Sequence, residues 1–170
     1  MKRWQIIILS SYSLLVLWVL LFKFSLSPEA IIKSAINGEN RIINWVPFMA
    51  SGGTREILLN TLVFVPFGVL ISMRETRYQG QKILRYSFLF SLAIEISQYL
   101  LAIGATDMTD LLTNTLGGYG GFLLYGLLAK IFPKKILDPL LLSIGTVAVC
   151  TFVFLMIITF KVNHVQLNYF

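Results

Sequence analysis

The sequence contains one cysteine and one histidine in 170 residues, and this scarcity excludes several kinds of site. Cys150 alone cannot form an intrachain disulfide or a cysteine-based zinc site. His164 lies near the C-terminus, and the sequence has no GxSxG, HExxH or P-loop motif. We therefore expect neither histidine-dependent phosphatase nor metalloprotease chemistry, and we predict no catalytic residues, no metal and no cofactor.

Charged residues are also few, at 13% of the chain, whereas hydrophobic residues make up 56% and the mean hydropathy is +0.78. A soluble domain has roughly 45–50% apolar residues. A bilayer core about 30 Å thick is crossed by a helix of around 20 mostly apolar residues. The composition therefore predicts an integral membrane protein with a single domain over residues 1–170 and no second, soluble domain.

Five apolar runs are long enough to cross a membrane, and they occupy residues 4–22, 56–73, 83–103, 110–132 and 139–160. The first run follows Lys2 and Arg3 and lacks a small-residue cleavage site, so it is predicted to be an uncleaved span rather than a signal peptide. The predicted fold class is all-α, a polytopic helical bundle with about five transmembrane helices.

The basic residues between these runs predict an orientation, because cytoplasmic loops hold the excess of Lys and Arg. With the N-terminus inside, nine basic residues fall in cytoplasmic segments and five in outer segments. The inner set is Lys2, Arg3, Arg74, Arg77, Lys82, Arg85, Lys130, Lys134 and Lys135. We therefore predict the N-terminus in and the C-terminus out. The net charge of +6 follows from these short clusters, and we expect no nucleic-acid partner.

The first external segment, residues 25–54, is too long for a simple turn. Ser27 and Pro28 suit the N-cap and first position of a helix, and Asn37-Gly38 suits its end. Apolar residues at positions 31, 32, 35 and 36 form one stripe between them. This pattern predicts an interfacial helix on the outer leaflet, and Trp45 fits the aromatic belt that follows it.

Polar side chains recur inside the predicted spans at helical spacing. Ser91, Glu95 and Gln98 share one face of the third span. Asn60 in the second span and Asn114 in the fourth lie at a depth similar to that of Gln98, counted from the outer ends. We therefore expect these three amides to form one polar layer near the extracytoplasmic end.

Glu95 is an ionisable residue inside a predicted span, which costs several kcal/mol unless the group is paired, neutral or hydrated. One interpretation is a functional carboxyl, and the other is a neutral carboxyl that joins helices by hydrogen bonds to Asn60 or Asn114. Arg55, beside Glu56, is the nearest strong cation, but it begins roughly 13 Å higher along the bundle and must bend inward to pair with Glu95.

Asp107 and Asp110 stand three residues apart at the start of the fourth span. An aspartate at the N-cap with another at the third helical position satisfies exposed amides and favours the positive end of the helix dipole. The same carboxylates at the mouth of a polar cavity can also bind a cation, an amine or a sugar hydroxyl. A tight metal site needs more ligands than these two.

Pro66 and a group of glycines are predicted to shape the helix packing. Pro66 lies near the middle of the second span and should kink it, which either serves packing alone or opens a cavity for Asn60. Gly117 and Gly121 form a GxxxG pattern that allows close helix approach. The packing set is Pro66, Gly117, Gly118, Gly120 and Gly121.

Several of these motifs occur in an ordered series. They are Asn44-Trp-Val-Pro-Phe, Arg55-Glu56 with Asn60, Phe64-Val-Pro-Phe-Gly68, Glu95-Ile-Ser-Gln98, and Gly104-Ala-Thr-Asp-Met-Thr-Asp-Leu-Leu-Thr-Asn114 followed by Gly117-Gly118. The series resembles that of the VanZ-like family of membrane proteins over about residues 14–128, whereas residues 139–160 match in hydropathy only. The resemblance implies a Gram-positive cell-membrane protein associated with lowered susceptibility to teicoplanin and related lipoglycopeptide antibiotics.

We hypothesise an outer-leaflet binding pocket that engages the lipoglycopeptide or a lipid-linked peptidoglycan precursor among membrane lipids. Its residues are Arg55, Asn60, Glu95, Gln98, Asp107, Asp110 and Asn114. In this hypothesis Arg55 holds a phosphate or carboxylate, and the two aspartates take amines or sugar hydroxyls.

Two other classes remain open. An enzyme that modifies a lipid-linked envelope precursor would use Glu95 or an aspartate as its general base. A transporter needs polar groups along both halves of its pathway, and the inner half of the second span offers little beyond Ser72.

Overall fold

The computed structural model describes residues 2–22, 36, 43–48, 53–74, 80–103 and 105–167. These residues form five helices: α1 (Lys2–Leu21), α2 (Thr54–Ser72), α3 (Gly80–Leu101), α4 (Met108–Ile131) and α5 (Lys134–Leu167). Each helix contains one of the predicted apolar runs, apart from one or two residues at some ends. The predicted interfacial helix falls outside the described residues, except for Ile36.

Three of the described helices are long and apolar enough to cross a membrane: Arg3–Leu21, Thr54–Ser72 and Lys134–Thr159. Helices α3 and α4 have 22 and 24 residues, which is sufficient length, but they also contain the polar side chains of the predicted site. The described residues therefore include three candidate membrane spans, and the count of five crossings and the orientation of the termini stay predictions.

Helices α2 and α4 share the most extensive contact among the described elements, and glycines bring their backbones together. A Cβ added at Gly117 would meet the carbonyl oxygen of Thr61, and one at Gly121 would meet that of Val65. On the opposing helix, a Cβ at Gly68 would meet the carbonyl oxygen of Gly118. The GxxxG pattern therefore packs as expected for a pair of helices in backbone contact.

The apolar core lies between α1, α2 and α3. Val16 and Phe64 are fully buried, and the rings of Phe67 and Phe90 stack with centroids 4.9 Å apart. The Tyr12 hydroxyl donates to the carbonyl of Val63 at 2.9 Å, which fixes α1 against α2 beside Pro66. This core holds together the helices that carry the polar side chains.

Helix α5 lies at the periphery of the bundle, since only 6% of its apolar stretch is buried. Tyr125 on α4 donates a hydrogen bond of 2.9 Å to the buried Asp138, close to the start of α5. Most of the exposed side chains described on α5 are apolar, as in the lipid-facing wall expected of a peripheral membrane helix.

Two very short strands, which the sequence did not predict, accompany the described helices. Strand β1 (Ile43–Asn44) pairs in parallel with β2 (Thr106–Asp107), and Asn44 is opposite Asp107. Two residues show no alternation that a sequence pattern could reveal, and the partners are more than sixty positions apart. The pairing places the segment 43–48 over the start of α4.

Candidate functional site

Polar side chains from three helices surround a small cavity at one end of the bundle. The end of α1, the start of α2, the last turns of α3 and the start of α4 contribute to it. Its lining residues are Leu20, Glu56, Asn60, Ile94, Glu95, Gln98, Asp110 and Asn114. The amides of α2, α3 and α4 therefore lie around one space, as their depth in the predicted spans indicated.

The cavity is small, with about 10 Å³ available to the centre of a water-sized sphere. A single water molecule needs roughly 10–15 Å³ by the same measure. The site therefore has room for one water-sized species, and it does not admit a sugar, a peptide or a lipid headgroup in this conformation.

Two hydrogen bonds fix the carboxyl groups of the cavity. The amide nitrogen of Asn60 donates to Oδ1 of Asp110 at 2.7 Å, which joins α2 to α4. Oε2 of Glu95 accepts from the backbone N–H of Asp107 at 2.9 Å, which joins α3 to the turn before α4. Glu95, Asp110 and Asn60 are each at most 5% exposed, so these bonds form away from water.

The other two amides bond different partners. Asn114 donates from Nδ2 to the Ser91 hydroxyl at 3.0 Å, and Gln98 donates from Nε2 to the backbone carbonyl of Leu20 at 3.0 Å. The carbonyl of Leu20 lies in the last turn of α1, where no intrahelical donor remains for it. Gln98 therefore caps the end of α1 and ties it to α3.

Each of these two amides also has an oxygen without a hydrogen-bond partner. Oε1 of Gln98 and Oδ1 of Asn114 are buried, and no donor among the described residues reaches them. Buried polar atoms are nearly always paired in native proteins, so two such acceptors on one cavity point to a bound species.

Asp107 caps the start of α4, next to the cavity. It is the N-cap residue of α4, with its Oδ1 accepting from the backbone N–H of Thr109 at 2.7 Å, which confirms the capping interpretation. The amide of Asn44 approaches its second oxygen at 3.5 Å, and the backbone N–H of Phe48 donates to the Thr109 hydroxyl at 2.9 Å. These two contacts hold segment 43–48 against the start of α4.

The sequence model of a family described as VanZ/LLP1 matches residues 9–129. A curated relative, "Protein VanZ" of Enterococcus faecium, is 34% identical over 162 residues, which cover 95% of this chain and 94% of the relative. The chain belongs to the VanZ/LLP1 family. No solved structure matches it.

The resemblance that the motifs indicated is therefore confirmed by a match over residues 9–129. In this VanZ/LLP1 family member, five of the seven predicted site residues line the cavity: Asn60, Glu95, Gln98, Asp110 and Asn114. Asp107 is outside the described lining, and its backbone N–H donates to Glu95. Arg55 is exposed at the start of α2, outside the lining.

Two contributors were not assigned to the predicted site. Glu56 lines the cavity, and its signal was present, because it precedes Asn60 by four residues on one helix face. The carbonyl of Leu20 is a backbone acceptor that no side-chain pattern could reveal. Among the described residues, no group of three or more His, Cys, Asp or Glu side chains is arranged to hold a metal ion.

Proposed function

We propose that this VanZ/LLP1 family member is a multi-pass protein of a Gram-positive cell membrane that lowers susceptibility to teicoplanin and related lipoglycopeptides. Family membership carries the proposal, together with the similarity to Protein VanZ of Enterococcus faecium. The apolar helices support the membrane location. A cluster of buried polar groups at one end of such a bundle supports a function at that end.

The proposed location of this end is the outer leaflet. Most described basic residues lie at helix ends remote from the cavity: Arg3, Arg74, Lys82, Arg85, Lys130, Lys134 and Lys135. Arg55 lies on the cavity side, and so does Lys161 toward the end of α5. Because Lys and Arg concentrate on the cytoplasmic side, this asymmetry favours a cavity that faces outward with the N-terminus inside.

The cavity is too small for such a ligand, so we place the proposed binding at its rim, which consists of Arg55 and segment 43–48. Arg55 is exposed beside the site and can form paired hydrogen bonds with a phosphate or carboxylate. Trp45 and Phe48, which are 70% and 60% exposed, present apolar rings on the segment above the cavity. We propose that this rim contacts the lipoglycopeptide or a lipid-linked cell-wall precursor. Arg55 would bind an acidic group of the ligand, and the rings of Trp45 and Phe48 would contact an apolar group.

The buried residues have a supporting role in this proposal. Asp107 and Asp110 are at most 5% exposed and already accept hydrogen bonds, so a ligand amine or hydroxyl reaches them only after a local rearrangement. Glu95 holds the turn before α4, and thereby the rim, in place.

Resistance measurements on charge-neutral variants test the proposal. We expect Arg55→Gln to lower teicoplanin resistance and to weaken binding of labelled teicoplanin or precursor by about tenfold, the effect of losing roughly 1.5 kcal/mol from a charged hydrogen bond. Arg85→Gln is the matched control, because Arg85 is also exposed and lies on α3 toward the opposite end. Equal resistance in Arg55→Gln, Glu95→Gln and the parent chain, at equal membrane abundance, would contradict the proposal.

Mass spectrometry of lipid-linked precursors separates binding from catalysis. Cells with and without the protein should contain the same precursor species if the rim only binds its ligand. A precursor that appears or disappears in proportion to expression would instead favour an enzyme that uses Glu95 or an aspartate as its base.

A further inference from the structure

An open groove lies toward the end of the bundle opposite the cavity. Described residues of α1, α2 and α3 line it, and its volume is about 550 Å³ by the same measure as for the cavity. Its lining includes Arg74, which follows the end of α2, whereas the cavity lies at the start of that helix. Clefts that bind small molecules usually have about 300–1,000 Å³, so the groove is within the size range of a ligand site.

Most of the described lining of the groove is apolar or aromatic. Phe67 and Ile71 of α2 are at most 8% exposed, and the ring of Phe90 on α3 stacks on that of Phe67. Leu9 and Ser13 contribute from α1, and the Ser13 hydroxyl donates to the carbonyl of Leu9 within the same helix at 2.8 Å. This part of the groove therefore favours an apolar occupant over water.

The groove is held in shape by contacts between its helices. The hydrogen bond from Tyr12 to Val63 joins α1 to α2, and the stacked rings of Phe67 and Phe90 join α2 to α3. Two of these helices, α1 and α2, contain candidate membrane spans. In a bilayer, the apolar part of the groove is therefore next to the acyl chains of lipids.

The polar end of the groove lies where α2 leaves its apolar stretch. Arg74 is exposed and comes two residues after the candidate span Thr54–Ser72. It follows Phe67 by seven residues, which is about 10 Å at the helical rise. Tyr86, 45% exposed, is one turn nearer the start of α3 than Phe90. The lining thus changes from aromatic to cationic over the distance in which a bilayer changes from hydrocarbon to headgroups.

We propose that the groove binds one anionic phospholipid, with an acyl chain along Phe67 and Phe90 and the phosphate at Arg74. A guanidinium forms paired, charge-assisted hydrogen bonds with a phosphate. The described lining contains this one basic side chain and no acidic one. A tyrosine such as Tyr86 suits the boundary between hydrocarbon and headgroups. A zwitterionic lipid can place the same chain in the groove, but its headgroup carries no net negative charge, so a preference for anionic lipid distinguishes the site.

The lipid site goes beyond the proposed function and does not depend on the drug or precursor contact. It uses neither Arg55 nor segment 43–48, and it lies toward the other end of the bundle. With the predicted orientation, it would take a lipid of the cytoplasmic leaflet. A lipid in the groove would contact α1, α2 and α3 together, so we expect it to stabilise the folded bundle.

Native mass spectrometry of the purified full chain tests the site, without drug or precursor. The chain is released from nanodiscs that contain equal amounts of phosphatidylglycerol and phosphatidylcholine with the same acyl chains. We expect one phosphatidylglycerol per chain to stay bound under conditions that remove phosphatidylcholine. In detergent, the Tm should rise in a saturable way with added phosphatidylglycerol and rise less with phosphatidylcholine, because a ligand of the native state stabilises that state.

A charge-neutral variant locates the headgroup. Arg74→Gln should lower the preference for phosphatidylglycerol about fivefold, the effect of one basic residue close to an anionic headgroup. Arg85→Gln is the matched control, because Arg85 is exposed toward the same end of the bundle but lies outside the described lining. We expect the control to keep most of the preference.

A second variant locates the acyl chain. Ser13→Phe should fill the groove and reduce the retention of both lipids, although it removes no described hydrogen bond between helices. Ser10→Phe is its control, because Ser10 is exposed on α1 and lies outside the described lining. If Ser13→Phe does not fold, Arg74→Gln still decides the question, since Arg74 is exposed.

Three results would overturn the proposal. They are equal retention of the two lipids by the parent chain, an unchanged preference for phosphatidylglycerol in Arg74→Gln, and a dimer that carries no lipid, which would assign the groove to a second copy of the chain. None of these results would bear on the resistance measurements, so the lipid site and the proposed function can fail separately.

Discussion

The hydrogen bond between Asn60 and Asp110 is buried away from bulk water. Both residues are at most 5% exposed, and their hydrogen bond of 2.7 Å joins α2 to α4. An amide that donates to a carboxyl in a buried site is worth more than its exposed counterpart, because no solvent replaces the lost donor. The pair therefore contributes to the stability of the bundle as well as to the shape of the cavity.

Replacing Asn60 with Leu removes the donor and leaves Asp110 with one hydrogen bond fewer. We expect the free energy of unfolding to fall by roughly 1 kcal/mol, within the range measured for buried and intramembrane hydrogen bonds. Unfolding in a denaturing detergent series measures the change. Ser97→Ala is the control, and a loss for Asn60→Leu no greater than for Ser97→Ala would show that the bond contributes nothing.

Helical spacing predicted much of the site at the level of single residues. Ser91, Glu95 and Gln98 were expected on one face of a helix, and the structure places Glu95 and Gln98 on the cavity and Ser91 against Asn114. The individual partners could not be predicted. Whether Asn114 bonds Ser91 or Asn60 depends on the angle and position at which α3 and α4 cross, which the sequence pattern does not give.

At the level of elements, glycine determines how close α2 and α4 approach. Gly117 and Gly121 face the carbonyl groups of Thr61 and Val65. Gly120 was also predicted to be a packing residue, but an added Cβ there has no atom within 4 Å, so this prediction was wrong. Helix α4 therefore has two glycines at which an added Cβ would clash with α2 and a third, Gly120, that serves as a control without such a clash.

Alanine substitutions at these glycines should separate packing from helix propensity. We expect Gly117→Ala and Gly121→Ala to lower the free energy of unfolding by about 1–3 kcal/mol each, since a Cβ overlaps backbone that cannot move aside easily. Gly120→Ala should be neutral or stabilising, because alanine favours a helix over glycine. Thermal unfolding measures all three, and similar losses at Gly120 and Gly121 would refute the backbone-contact interpretation.

Elements were predicted to different degrees for physical reasons. Long apolar runs indicated every described helix, and Asp107 was expected to cap α4, which it does. The pairing of β1 with β2 was missed because two residues carry no periodicity. Gly68 went unassigned as a packing residue because it has no glycine partner at GxxxG spacing within α2, although it meets Gly118.

Across the whole molecule, acidic and amide groups gather at one end and most described basic residues lie toward the other. This polarity predicts that segment 43–48 lies outside the cell and the start of α5 inside. Composition and charge supplied this prediction. The cavity volume could not be obtained from the sequence, because it depends on the close fit of the lining side chains, eight of which are among the described residues.

Cysteine labelling tests the orientation in intact cells. Cys150 is first replaced by serine, and a single cysteine is introduced as Trp45→Cys or Lys135→Cys, both at exposed positions. We expect a membrane-impermeant maleimide to label the first variant in intact cells and the second only after permeabilisation. The reverse pattern would invert the orientation, and labelling of both in intact cells would rule out an odd number of crossings between them.

The contact between α2 and α4 also limits how the molecule can move. Because the two backbones are in contact, a shift or rotation of either helix about its axis would bring carbonyl groups too close to the other helix. We therefore expect α2 and α4 to move as one rigid unit. An opening of the cavity would therefore have to break contacts outside this pair. Among the described residues, these contacts include the hydrogen bond from Phe48 to Thr109 and the one from Gln98 to Leu20.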